Sequence, residues 1–80
     1  MTRRTPNRIK TLRQEAGLTQ QELADRLGLG RQAISGWERG VNSLRLEHAE
    51  KVGQFFQVSA GYVLGLTMDK TDYGLRDKPI

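Results

Sequence analysis

Residues Thr19 to Gly40, TQQELADRLGLGRQAISGWERG, constrain the fold of this chain more than any other stretch. Apolar residues recur there at helical spacing, first Leu23, Ala24 and Leu27, then Ala33, Ile34 and Trp37. Gly28-Leu29-Gly30 between the two sets leaves room only for a tight turn. Thr19 and Glu22 form an S/T-x-x-E capping box, in which each side chain reaches the other's orphan N–H. Leu18 and Leu23 hold the positions of a hydrophobic staple. Gly28 and Gly40 stop the two helices. The segment therefore predicts two short helices joined by a turn, each with one apolar side to bury.

The same signals place three further helices. Thr5-Pro6 opens the first, with Thr as cap and Pro where a missing N–H costs nothing. Ile9, Leu12 and Ala16 follow at helical spacing, and Gly17 ends it. After an irregular stretch over 41–45, a fourth helix covers roughly Leu46 to Phe56 and buries Leu46, Ala49, Val52, Gly53 and Phe56. Ser59 caps a last helix through Leu64, with Val58 and Val63 as its staple and Gly65 as its stop. The expected fold is all-α, a compact five-helix bundle containing a helix-turn-helix. Residues 1–5 are expected to form a basic arm and 6–65 the domain. Residues 66–80, charge-balanced and poor in apolar residues, are expected to form a tail, linker or dimerisation segment.

Eighty residues allow one small domain. The chain has no cysteine and a single histidine, His48, which excludes disulfides and makes a structural zinc site untenable. His48 is expected to be solvated or to cap a helix. Ser35, Ser43 and Ser59 have no His/Asp partner to activate them, and no phosphate-cradling glycine loop is present, so no enzyme is expected. Neither a cofactor nor a small-molecule ligand is implied. No apolar run is long enough to span a bilayer, and cysteine-free composition fits a reducing cytoplasm. Arg3, Arg4, Arg8, Lys10 and Arg13 precede every acidic residue, so the net charge of +4 is an N-terminal feature. A basic arm leading into a helix suits a polyanion such as DNA, or simply solubilises a small protein.

The run IKTLRQEAGLTQQELADRLGLGRQAISGWERG, followed by the fourth helix and the VSAGYVLGL ending, resembles the lambda-type phage repressor and Cro helix-turn-helix family. The combination L-T-Q-x-E-L-A with I-S-x-W-E-x-G carries the resemblance; Leu44 stands where the family often has proline. The resemblance implies sequence-specific binding of double-stranded DNA by a transcriptional regulator. Such a regulator would work in a bacterial or phage-infected cytoplasm, as a homodimer on a palindromic operator. An antitoxin whose tail also binds a toxin protein is the alternative.

By the same resemblance, Arg31, Gln32 and Ser35 read bases in the major groove, where Arg suits guanine and Gln suits adenine. Gly36 joins this set on a different ground. Glycine inside a helix costs about 1 kcal/mol relative to Ala, so it marks either close approach to DNA or tolerance on an exposed face. Gln20, at the start of the second helix, is implied to bind a phosphate, as helix N-termini favour anions. Arg39, Asn42 and Arg45 are further phosphate candidates at and beyond the end of the third helix, and Arg3 and Arg4 in the arm. Glu38 is implied to pair with Arg13 as a structural ion pair. Dimerisation near the fifth helix points to Tyr62, Val63 and Leu66, with Phe55 as a further candidate.

Overall fold

Every helix among the described residues stops in the same way, and that shared ending sets the architecture. The structure, a computed structural model, describes residues 7–70. It contains α1 (Ile9–Glu15), α2 (Gln20–Leu27), α3 (Arg31–Arg39), α4 (Leu46–Phe56) and α5 (Ala60–Leu64), with no strand among the described residues. Behind the helices, in order, stand Gly17, Gly28, Gly40, Gln57 and Gly65, all with φ between 61° and 83°. The N–H of the next residue then donates to the carbonyl five positions back. The pairs are Leu18 to Arg13, Leu29 to Ala24, Val41 to Gly36, Val58 to Gly53 and Leu66 to Gly61, at 2.8–3.1 Å. This Schellman geometry satisfies carbonyls that a helix end leaves orphaned. Gln57 was not expected to be a stop. It has a Cβ, and holding it in the left-handed region costs about 1–2 kcal/mol.

The starts of α2 and α5 follow the sequence. Thr19 Oγ1 accepts from the Glu22 N–H and Glu22 Oε1 accepts from the Thr19 N–H, completing the capping box. Ser59 Oγ accepts from the Tyr62 N–H at 3.0 Å. The start of α1 does not follow it. The helix begins at Ile9, and the expected cap Thr5-Pro6 lies outside the described residues. Asn7 supplies the first acceptor instead, its Oδ1 taking the Ile9 N–H at 3.1 Å. The other end of the same buried amide donates to the Trp37 carbonyl at 3.1 Å. The Arg8 N–H donates to the Val63 carbonyl, so the chain is tied to α3 and α5 before it can turn helical.

The core collects Ile9 and Leu12 from α1, Leu23, Ala24 and Leu27 from α2, and Ile34 and Trp37 from α3. Ala49 and Val52 of α4, with Val58 and Val63, complete it. Full burial of each Ile, Leu or Val among them contributes about 1.5–3 kcal/mol. Two residues expected inside α4 depart from this. Leu46, the first residue of the helix, is 58% exposed because the chain enters α4 ahead of the core. Phe56 is half-buried and meets Phe55 edge to face at 4.9 Å. Gly53 is buried as expected, and for a specific reason: a Cβ there would sit 2.5 Å from the Val58 carbonyl oxygen. Its absence lets the start of α5 close onto α4.

Residues beyond Leu64 do not leave the bundle at once. Arg8 Nη1 donates to the carbonyls of Tyr62 and Thr67, at 2.6 and 2.9 Å. The Ser59 N–H donates to the Lys70 carbonyl at 2.7 Å and its Oγ to the Asp69 carbonyl at 3.1 Å. The first part of the expected tail is therefore a strap across α5.

Candidate nucleic-acid interface

α3 is built with two unlike sides. Ile34, Trp37 and Glu38 are buried, whereas Arg31, Gln32 and Arg39 are exposed and Ser35 is half-buried. At about 3.6 residues per turn, Arg31, Gln32, Ser35 and Arg39 share one side of the helix. The helix is anchored by its one buried acid. The Glu38 carboxylate accepts from Arg13 Nε at 2.6 Å and Arg13 Nη2 at 3.0 Å, and both side chains are almost wholly covered. Arg13 Nη1 donates to the Leu18 carbonyl at 2.8 Å. Hydrogen bonding to Glu38 raises the Arg13 pKa above its ordinary value. Burial opposes this and the opposite charge reinforces it. A charge-assisted, two-pronged pair of this kind fixes the angle between α1 and α3.

Gln20 extends that network outward. Its Nε2 donates to Glu38 Oε1 at 3.0 Å, and its Oε1 faces Arg31 Nη1 at 3.5 Å. The buried acid, the first residue of α2 and the first residue of α3 thus form one line. Arg39, Asn42 and Arg45 are all exposed around the end of α3. Arg3 and Arg4 lie outside the described residues. Of the remaining N-terminal cations, Arg8 and Arg13 face inward, so the start of the domain supplies less free charge than composition suggests.

Residues 9–63 match the family described as helix-turn-helix. The chain belongs to the helix-turn-helix family. Three relatives agree with this. Against the cryptic phage CTXphi transcriptional repressor RstR of Vibrio cholerae it is 31% identical over 72 residues, 90% of this chain and 65% of the relative. Against the HTH-type transcriptional regulator ImmR of Bacillus subtilis it is 36% identical over 58 residues, 72% of this chain and 46% of the relative. Against the uncharacterized HTH-type transcriptional regulator YobD of the same organism it is 31% identical over 62 residues, 78% of this chain and 55% of the relative. The chain thus spans about half to two-thirds of the length of these relatives, which are transcriptional regulators rather than enzymes. No solved structure matches the chain.

Within the helix-turn-helix domain, several sequence expectations need correction. Gly36 was read as lying at the DNA or on an exposed face, but it is buried, because the Asn42 side chain folds over it. Val63 is fully buried in the core and cannot face a second subunit. Phe55 and Tyr62 are half-buried and Leu66 is 78% exposed. Tyr62 carries the Arg8 guanidinium 4.2 Å from its ring centroid and the Lys70 ammonium at 5.6 Å. His48 is half-buried, its ring resting 5.0 Å from that of Trp37. No group of three metal-ligating side chains occurs among the described residues, and no helix is long and apolar enough to cross a membrane.

The sequence reading missed Asn7 and the inward role of Arg8. Asn7 had a signal: an Asn two residues ahead of the first apolar helical position is an Asx-type cap. Arg8 had none, since its partners lie more than fifty residues away.

Proposed function

We propose that this chain is a sequence-specific repressor of transcription that works by seating α3 in the major groove of duplex DNA. One observation carries the proposal. α3 is locked from behind by Trp37 and the Arg13–Glu38 pair, while Arg31 and Gln32 are exposed on its first turn, Arg31 touching only Gln20. Arg31 can donate two hydrogen bonds to guanine and Gln32 can pair with adenine. In this reading Arg39, Asn42 and Arg45 hold phosphates and set the register, and Gln20 at the N-terminus of α2 joins them by exchanging its bonds to Glu38 and Arg31 for one to a phosphate. The names of the repressor and regulators it resembles support the same role.

One domain of this size offers a small interface, and tight binding requires two. The chain therefore acts as a homodimer on a palindromic operator in the cytoplasm, with half-sites roughly 34 Å apart. Phe55, Tyr62 and Leu66 form the contact between subunits. Selection of bound duplexes from a random pool tests the proposal. The wild type should enrich a two-fold symmetric sequence, and Arg31→Ala and Gln32→Ala should each relax preference at one position per half-site. Affinity should fall by about 0.9 log units per log unit of salt for each phosphate neutralised. A pool that emerges unenriched would refute the proposal.

A further inference from the structure

We infer that Gly36 is a positioning residue, whose missing side chain forms the seat that holds the Asn42 amide against the outward side of α3. This deepens the DNA-binding reading above and rests on it for its functional consequence. Three observations converge on the pair. Gly36 lies one turn beyond Gln32 on α3, toward the side from which bases would be read, yet it is buried. What covers it is the side chain of Asn42, which is itself exposed. A Cβ on Gly36 would overlap the Asn42 amide nitrogen and approach its Cγ to 3.1 Å.

The backbone reinforces the arrangement. The Gly36 carbonyl accepts from both the Val41 N–H at 2.9 Å and the Asn42 N–H at 3.2 Å. Gly40, in the left-handed region, turns the chain so that Asn42 returns over the preceding turn of α3. Both the main chain and the side chain of Asn42 therefore rest on one residue. The obstruction that a methyl group would create there is the far end of a polar side chain, not backbone. Substitution at Gly36 thus displaces Asn42 and leaves the bundle intact. Alanine also favours the helix over glycine. The glycine sacrifices helix propensity to keep a polar amide ordered on α3, where an ordered side chain has less freedom to lose on meeting a phosphate.

The test combines Gly36→Ala, Asn42→Ala and the double variant, each measured for thermal unfolding and for affinity to the duplex selected above. Gly36→Ala should unfold no earlier than the wild type. It should bind about two- to tenfold more weakly, because Asn42 must then be ordered on binding. In the Asn42→Ala background the same change should have no further effect on affinity. Additive losses would mean that Gly36 itself touches DNA, and wild-type affinity in Gly36→Ala would mean that the seat has no function; either overturns the inference. A separate readout does not depend on DNA. The Asn42 side-chain amide should show a nuclear Overhauser contact to the Gly36 α-protons, lost when the residue is alanine. If the wild type binds no duplex, the functional reading fails. If that contact is absent, the seat fails whatever the DNA result.

Discussion

The chain contains the same turn twice, and the two copies are put to different use. Between α2 and α3 run Gly28, Leu29 and Gly30; between α4 and α5 run Gln57, Val58 and Ser59. Gly28 lies at φ 73°, ψ 30° and Gln57 at φ 61°, ψ 45°. Gly30 lies at φ −84°, ψ 153° and Ser59 at φ −72°, ψ 153°. Leu29 and Val58 make the same backbone bond to the helix behind them. The surroundings differ. A Cβ at Gly28 or Gly30 would meet nothing within 4 Å, whereas the second turn presses its Val58 carbonyl onto Gly53. The first turn leaves the polar side of α3 in solvent. The second is closed by Arg8 and by the strap over 67–70. A three-residue turn sets the local geometry of a helix pair; whether its second helix is presented or locked away depends on what packs around it.

The comparison can be broken at its anchors. The largest effect should come from Glu38→Ala, which leaves Arg13 buried without its partner. Breaking such a pair costs about 3–5 kcal/mol, visible as a drop in the thermal midpoint. The sign of the pH dependence follows from the raised pKa of Arg13. A cation stabilised by folding contributes fully below its unfolded pKa and ceases to contribute only as pH rises through the folded value. The contribution of Arg13 should thus stay level from neutrality to about pH 10, well below an arginine's ordinary pKa. A decline in that range would assign it to another group.

Gly53→Ala tests the tighter turn. The new methyl must push α5 away from α4, at a cost of about 1–3 kcal/mol in denaturant unfolding. Arg8→Ala removes the donor that ties the strap to α5. It should cost about 1 kcal/mol and speed hydrogen exchange at the Ser59 amide, which the Lys70 carbonyl now protects. If Ser59 exchanges no faster, the strap is held without Arg8. The smallest effects should come from exchanging features between the turns. Gln57→Gly relieves a left-handed residue and should stabilise by about 0.5 kcal/mol after the entropy of glycine is counted. Gly30→Ser adds the cap that α3 lacks, for a few tenths of a kcal/mol.

Much of this was legible in the residues. The capping box at Thr19, the serine cap of α5 and four of the five helix stops each depend on neighbours within a few positions, so their chemistry can be read locally. The outward polar side of α3 was legible because its helical period is unbroken from Arg31 to Arg39. Other features were not. Leu46 carries the apolar pattern of α4 but sits ahead of the core, and Val63 has its burial decided by the packing of α5 on α4. Gly36 is covered by a residue from the following loop, which no periodicity reports.

The amino-acid order alone determined where helices begin and end and which sides of them are apolar, because caps, left-handed stops and helical period act over one turn of chain. Only the tertiary structure decided which polar groups remain available. In the residues alone Arg8 reads as a free cation and Gln20 as a donor to phosphate, and only the family resemblance pairs Arg13 with Glu38. Their partners at Tyr62 and Glu38 come from distant segments that meet only when the core closes.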